Sequence, residues 1–386
     1  MPRIGNMFSK NLSKSLSKSF PTFSKSKGKP NSFVGLEIDG SSLAAAEVRL
    51  NGGATVTNAV IAPVPPGAFH DGEVTDPDLL SSALKEAFSQ NDISKDVRLG
   101  VGNQRVAFRT IRLPVIESPE EMDAAVRFQA QEEMPMPLDS AVLDYQMIGG
   151  TTDSDGTPKV DVALVAARRE MIARLLEPVR DAGLRPVSVD LNAFGLIRAL
   201  AGVQSAAEGE DAPPPPDGEA EYVPATLYCN LGDVTNLAVA RRSSCLFARI
   251  SPFGVEKITA RVMERTELTP DHARLWLDHV GLETPVEEID GDPAIVSATR
   301  QGLEEGAGML ADELRLSLDY YGAQEGAVPV GPVVLSGPAS AIPGLPERLN
   351  GELGRDVTVG RPAALSEYGP AQSARLTLAY GLALEH

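Results

Sequence analysis

Few side chains in this chain have the type and spacing that chemistry demands, and those that do point to binding. Phe8, Leu12, Leu16 and Phe20 recur every four residues, with Lys10, Lys14 and Lys18 among them. At about 100° per residue in a helix, the four apolar side chains share one face and the lysines take the other. A short basic amphipathic helix of this kind suits an anionic membrane surface. The same Ser/Lys repeat also reads as a disordered leader, because serine is a mediocre helix former and one short helix is marginal alone in water. The histidines are scattered at 70, 272, 279 and 386. His272 and His279, seven apart on one expected helix, have the spacing of a solvated face and not of a ligand pair. Cys229 and Cys245 lie in apolar surroundings without metal-ligand or redox spacing. They read as small buried apolar residues in a reducing cytoplasm. Ser336-Gly337 has no positioned His/Asp partner. No Walker A loop, Gly-x-Gly-x-x-Gly fingerprint or paired catalytic carboxylates stand out, so no catalytic residue and no metal site is expected. Trp276, the only tryptophan, reads as part of a helical core.

Composition limits the function classes further. The chain has 386 residues, 42% of them hydrophobic, enough for two or three domains with their own cores. Its net charge is −18, and residues 1–32 hold seven basic residues and no acid, so the remainder carries −25. A body this acidic is repelled by nucleic acid phosphates. No stretch approaches about 20 consecutive apolar residues, so no membrane-spanning helix is expected, and no secretory signal is visible.

The elements that must position any site come in a repeated order. Phe33–Ile38, Leu43–Leu50 and residues 54–62 read as three strands, with Gly40-Ser41-Ser42 as the first turn. Asp39-Gly40 is by itself a good hairpin turn. A helix over Pro77–Ser89 and a strand over Val97–Val101 follow. A compact unit comes next: strand Arg105–Leu113, helix Pro119–Glu133, strands Ala141–Ile148 and Val160–Ala167, and helix Arg168–Ala182 ended by Gly183. Strand Pro186–Asp190 and helix Ala193–Leu200 complete the first half. Residues 204–221 hold six acids and four consecutive prolines and read as a solvated linker. Strands Thr226–Leu231, Asn236–Arg241 and Cys245–Ile250 then repeat the opening of the first half. Helices Val255–Thr266, Pro270–Val280 and Asp292–Tyr321, strand Val333–Gly337 and helix Ser373–Leu384 follow. Two halves with one plan suggest a duplication around a cleft.

Specific motifs carry a resemblance. Pro65-Pro66-Gly67-Ala68 precedes Asp71-Gly72-Glu73-Val74. Arg109-Thr110-Ile111-Arg112-Leu113-Pro114 leads into Ala124-Ala125-Val126-Arg127-Phe128-Gln129-Ala130-Gln131-Glu132. Pro135-Met136-Pro137-Leu138, Leu143-Asp144-Tyr145 and Ala182-Gly183-Leu184-Arg185-Pro186 continue in register. Leu314-Arg315-Leu316-Ser317-Leu318-Asp319-Tyr320-Tyr321, Ile342-Pro343-Gly344-Leu345 and Tyr380-Gly381-Leu382-Ala383-Leu384 close the match. From Phe33 onward the chain resembles the PilM family of type IV pilus assembly, within the actin-like superfamily. The resemblance implies an α/β, actin-like (ribonuclease H-like) duplicated fold with an inserted subdomain like that of FtsA. The implied organisation is a tail (1–32), half I (33–105), the inserted subdomain (106–186), the return of half I (187–203), the linker (204–221) and half II (222–386).

It also implies a role, that of a cytoplasmic scaffold peripheral at the inner membrane. The extended N-terminus of a PilN-like inner-membrane protein would dock beside the inserted subdomain, with Arg109 and Arg112 as candidate contacts, and pilus motor ATPases are further partners. Actin-like proteins hold Mg-ATP between two hairpin turns, and the matching positions here are Glu37, Asp39, Gly40, Ser41, Ser42, Asn230, Gly232, Thr235, Gly254 and Gly337. Several depart from the family. Its first-turn glycine is Asp39, its lysine is Ala44, its second aspartate is Asn230, and Gly232 is followed by Asp233. Two like charges at about 4 Å repel by ~4 kcal/mol at an effective dielectric near 20, so Asp39 opposes a phosphate. The expectation is a degenerate nucleotide site and no ATPase activity. The alternative is a register shifted by one, in which Asp39-Gly40-Ser41-Ser42 is itself the phosphate loop of an ATP-binding switch or ATPase, of a pilus or a type II secretion machinery.

Overall fold

The computed structural model describes residues 32–50, 53–152, 155–207 and 223–384. The helix expected over Phe8, Leu12, Leu16 and Phe20, and the Pro-rich run 213–216, lie outside the described residues. Half I opens with β1 (Ser32–Ile38), β2 (Ser42–Arg49) and β3 (Thr55–Pro63), an antiparallel meander. β1 and β2 are rich in alanine, valine and leucine and buried through their centres, as strands covered on both faces must be. A two-residue hairpin, β4 (Phe69–His70) and β5 (Glu73–Val74), precedes α1 (Pro77–Ser89). Asp71 and Gly72 form its turn with φ of 51° and 74°. Both angles are positive, which is the conformation that favours Asp-Gly. α1 starts where Asp76 accepts hydrogen bonds from the Asp78 and Leu79 amides.

β6 (Asp96–Val101) pairs parallel with β1, and β10 (Arg185–Leu191) parallel with β6. The sheet order is therefore β3-β2-β1-β6-β10. Half II repeats it strand for strand. β11 (Ala225–Leu231), β12 (Thr235–Arg241) and β13 (Ser244–Ser251) form the meander, and β14 (Val330–Ser336) and β15 (Val357–Val359) add on in parallel, giving β13-β12-β11-β14-β15. The duplication read from the sequence is real at the level of topology.

Between β6 and β10 the chain builds a separate antiparallel sheet from β7 (Val106–Pro114), β8 (Ala141–Thr152) and β9 (Pro158–Arg168), ordered β7-β9-β8. α2 (Pro119–Glu133) covers it, and Ile111, Leu113, Met122, Val126, Ala130 and Leu164 form a core of its own. α3 (Arg169–Asp181) then returns to the core of half I through Met171, Ile172, Leu175 and Val179.

Two helices fasten the halves. α4 (Asn192–Ala207) follows β10, and α9 (Pro370–Ala383), although last in the chain, lies buried in the core of half I. Their backbones nearly touch: a Cβ on Gly381 would come within 1.9 Å of the Gly195 carbonyl oxygen. Half II is covered by α5 (Val255–Met263), α6 (Pro270–Val280), the 30-residue α7 (Pro293–Gly322) and α8 (Leu345–Leu353).

The sequence reading differs at several ends. α4 runs past Leu200 to Ala207 on alanine-rich residues that carry no proline. α9 starts at Pro370, a residue suited to the first helical position. The loop expected between β8 and β9 is mostly strand, because the pair extends to Thr152↔Pro158. β4, β5, β15 and α8 were not anticipated; three of them are strands of only two or three residues, too short to show a period.

Candidate functional site

The two meander turns meet face to face. Gly40 and Ser41 form the tip between β1 and β2, closed by the Asp39 amide on the Ser42 carbonyl (2.8 Å). Gly232, Asp233 and Val234 form the tip between β11 and β12. The Asp39 carboxylate bridges them, its Oδ1 accepting from the Gly40 amide (3.0 Å) and from the Asp233 amide (2.6 Å). Asp39 is buried, and its Oδ2 has no hydrogen-bond partner. The glycines are there for closeness. A Cβ on Gly40 would sit 2.7 Å from the Asp233 Cγ, one on Gly232 2.9 Å from the Asp39 oxygens, and one on Gly254 1.9 Å from the Asp233 carbonyl oxygen. Gly40 does not have positive φ, so turn geometry alone does not require it.

One layer deeper, Glu37 and Asn230 join the halves directly. Asn230 Nδ2 donates to Glu37 Oε1 (3.0 Å), while the Ser336 hydroxyl donates to Asn230 Oδ1 (3.1 Å) and fixes the amide's orientation. Arg375 of α9 reaches in from behind. Its Nη1 donates to Glu37 Oε2 (2.5 Å), its Nε to the Ser42 hydroxyl (2.7 Å) and its Nη2 to the Ser42 carbonyl (2.8 Å). Both members of this ion pair are about nine-tenths buried or more, with side chains 5% and 4% exposed. Burial pushes the Glu37 carboxyl above the usual range, against the pull of the Arg375 guanidinium. The remaining expected residues also serve the scaffold. Thr235 donates its hydroxyl to the Phe253 carbonyl (2.6 Å), Gly254 caps α5, and Gly337, at φ 84°, abuts Leu231 and Asn230. Thus the structure brings all ten expected positions to one place. Arg375 was missed, for it lies more than 330 residues from Glu37 in a helix with no distinguishing motif.

Space around the turns is unequal. The pocket between them and Asn192, reaching Asn236, has about 30 Å³, room for about one water. On the outer side a cleft of about 840 Å³ opens between α1 and the β3–β4 connection on one wall and α5–α6 on the other. Gly40, Ser41, His70 and Asp233 floor it, and Arg274, paired with Glu256, faces it. Burial, then the Asp39 charge, holds the Asp233 carboxyl above the usual carboxylate range.

Elsewhere the sequence candidates separate. Arg112 pairs with Asp161 (2.9 Å) and approaches Glu325 (3.8 Å), while Arg109 Nη1 donates to the Phe108 carbonyl (2.8 Å). Both lie on β7, an edge strand. The edge of the half II sheet, β13, runs alongside it, and the Thr110 hydroxyl reaches the Leu246 carbonyl at 3.5 Å. Among the described residues no backbone hydrogen bond joins the two edges. Cys229 and Cys245 are buried free thiols, and burial pushes both up, Cys245 to about 12. Trp276 is half-buried against the half II core, and His279 stacks edge-on at 5.3 Å. No described helix is long and apolar enough to cross a membrane.

Two sheets of one ribonuclease H-like topology, joined at their turns beside a cleft, define an actin-like protein. The same fold occurs in the ethanolamine utilization protein EutJ from Carboxydothermus hydrogenoformans, with TM-score 0.53, 11% identity and 98% of each chain covered. Residues 35–386 match the family described as type IV pilus assembly protein PilM, and the chain belongs to that family. It is also similar to the structure of a PilM-PilN type IV pilus biogenesis complex, with TM-score 0.71, 26% identity, and coverage of 92% of this chain and 98% of the other.

Proposed function

We propose that this chain is a scaffold of type IV pilus assembly that takes the extended N-terminal tail of a PilN-like inner-membrane protein. The observation that carries this reading is the pair of unpaired sheet edges, β7 and β13, side by side at the border of the inserted unit. An extended peptide gains affinity by pairing its main chain with such an edge, and specificity from alternate side chains. The similar PilM was solved in complex with PilN, which supports a partner of this kind. Titration calorimetry with the N-terminal peptide of the PilN-like protein tests it. The peptide should bind at micromolar concentration, and Thr110→Pro in β7 should abolish binding because proline cannot donate to a ladder. No binding by the parent chain, or equal binding by the variant, counts against the reading.

The second part of the proposal is that the cleft has lost its hold on Mg-ATP. What supports it is chemistry at the turns. Asp39 puts an anion on the amide a phosphate would need, and Glu37 is neutralised by Arg375 in place of a metal ion. The residues therefore do not fit a triphosphate. The size of the outer cleft and the presence of Arg274 favour the competing reading, an ATP-binding switch. A thermal shift with Mg-ATP separates them: no stabilisation fits the degenerate site, and several degrees of it would favour the switch. The place of the protein is the cytoplasmic face of the inner membrane, held by its partner and by the basic segment 1–32.

A further inference from the structure

The β4–β5 turn sets two metal-binding side chains beside a buried acid of the opposite half. His70 Nδ1 lies 3.9 Å from Asp233 Oδ1, and His70 Nε2 lies 3.5 Å from Asp71 Oδ2. One ligand atom each from His70, Asp71 and Asp233 falls within 4.8 Å of the others. Asp233 is the telling member. Its side chain is 3% exposed, and neither carboxylate oxygen has a hydrogen-bond partner, although the Asp71 amide points its way. A buried carboxylate with no more than that amide contact is costly unless it takes up a proton or something cationic completes it. Among the described residues no protein cation hydrogen-bonds to it. Arg274 is turned to Glu256 and Asp271, and His70 stands beyond hydrogen-bond reach of Asp233. The buried Asp39 adds a further negative charge nearby, with one oxygen unpartnered.

We propose that His70, Asp71 and Asp233 bind a divalent transition-metal ion of the zinc type, which ties the β4–β5 turn of half I to the β11–β12 turn of half II. The donor set, one imidazole and two carboxylates, suits zinc, and the imidazole disfavours magnesium. Bonds of about 2.0–2.2 Å around a tetrahedral ion put ligand atoms roughly 3.3–3.5 Å apart. His70 and Asp71 are more than half exposed and free to close the remaining distance, while Asp233 is held in place by burial. The ion has a route in, since His70 and Asp233 both line the outer cleft. The site differs from a nucleotide-borne magnesium, whose acids would be the positions of Glu37 and Asn230. It needs no nucleotide and crosses the cleft, so metal loading would stiffen one half against the other.

The test is titration calorimetry of the full chain with Zn²⁺ alone, with thermal melts alongside. One Zn²⁺ per chain should bind and raise the melting temperature. His70→Ala and Asp71→Asn alter exposed side chains and leave the core intact. Losing a direct ligand should weaken binding at least about tenfold, the lower bound seen even for outer-shell partners. His272→Ala should bind as the parent does. Absence of binding, unchanged affinity in His70→Ala, or an equal response to Mg²⁺ overturns the proposal.

Discussion

Replacing Arg375 by methionine removes one partner of the buried pair under the turns. Glu37 would keep only the Asn230 amide, with its side chain 4% exposed. Two unit charges near 4 Å interact by about 4 kcal/mol at an effective dielectric of 20. Breaking a buried pair from one side costs about 3–5 kcal/mol, because the survivor stays desolvated. The Ser42 hydroxyl and carbonyl lose their donors as well, adding to the loss. Against a typical total stability of about 5–15 kcal/mol, this is a large fraction. The assay is urea unfolding followed by circular dichroism and by fluorescence of Trp276, the only tryptophan. The double variant with Glu37→Gln removes both charges and should recover part of the loss, with a coupling of at least about 1.5 kcal/mol. A cost below about 1 kcal/mol for Arg375→Met, or a double variant no better than the sum of the singles, would refute a paired, desolvated Glu37.

Further outcomes follow from the same geometry. Gly254→Ala places a Cβ into the Asp233 carbonyl and should lower the melting temperature by roughly 1–4 °C in a thermal melt, since overpacking costs about 1–3 kcal/mol. Cys229 and Cys245 should stay unlabelled by a thiol reagent at pH 8 until urea unfolds the chain, for both are buried and Cys245 is pushed up to about 12. Asp39→Gly should permit measurable Mg-ATP stabilisation if Asp39 is what blocks the turn, and an unchanged melt would shift the blame to Glu37 and Arg375. In co-sedimentation with anionic vesicles the full chain should pellet at low salt and a 33–386 chain should not, with each lysine near the surface worth about 1 kcal/mol; equal pelleting would leave residues 1–32 without an anchoring role.

How much was legible beforehand differs by level. The repeated strand order was visible because each meander strand is a short apolar run bounded by turn residues, and the long helix α7 because its apolar residues recur at helical spacing. The motif run from Pro65 to Leu384 gave the family. The positions around the two facing turns were also readable, since turn glycines and their flanking acids are local signals. Residue type alone showed that Asp39 puts a charge into a turn. It could not show where that charge goes, which is onto the amide of a turn almost 200 residues away.

That second kind of fact belongs to the tertiary structure. Arg375 and His70 carry no motif and Asp233 reads only as a turn acid; they meet their partners only because α9 and the β4–β5 turn are folded against strands distant in the chain. The same holds for the open edges of β7 and β13, since whether a strand is an edge depends on the neighbours it acquires and not on its own residues. Local sequence sets periods, turns and caps through short-range sterics and hydrogen bonds. Which charges meet, which donors go unpaired and how much space is left between two halves are set by long-range packing, where desolvation and close approach decide.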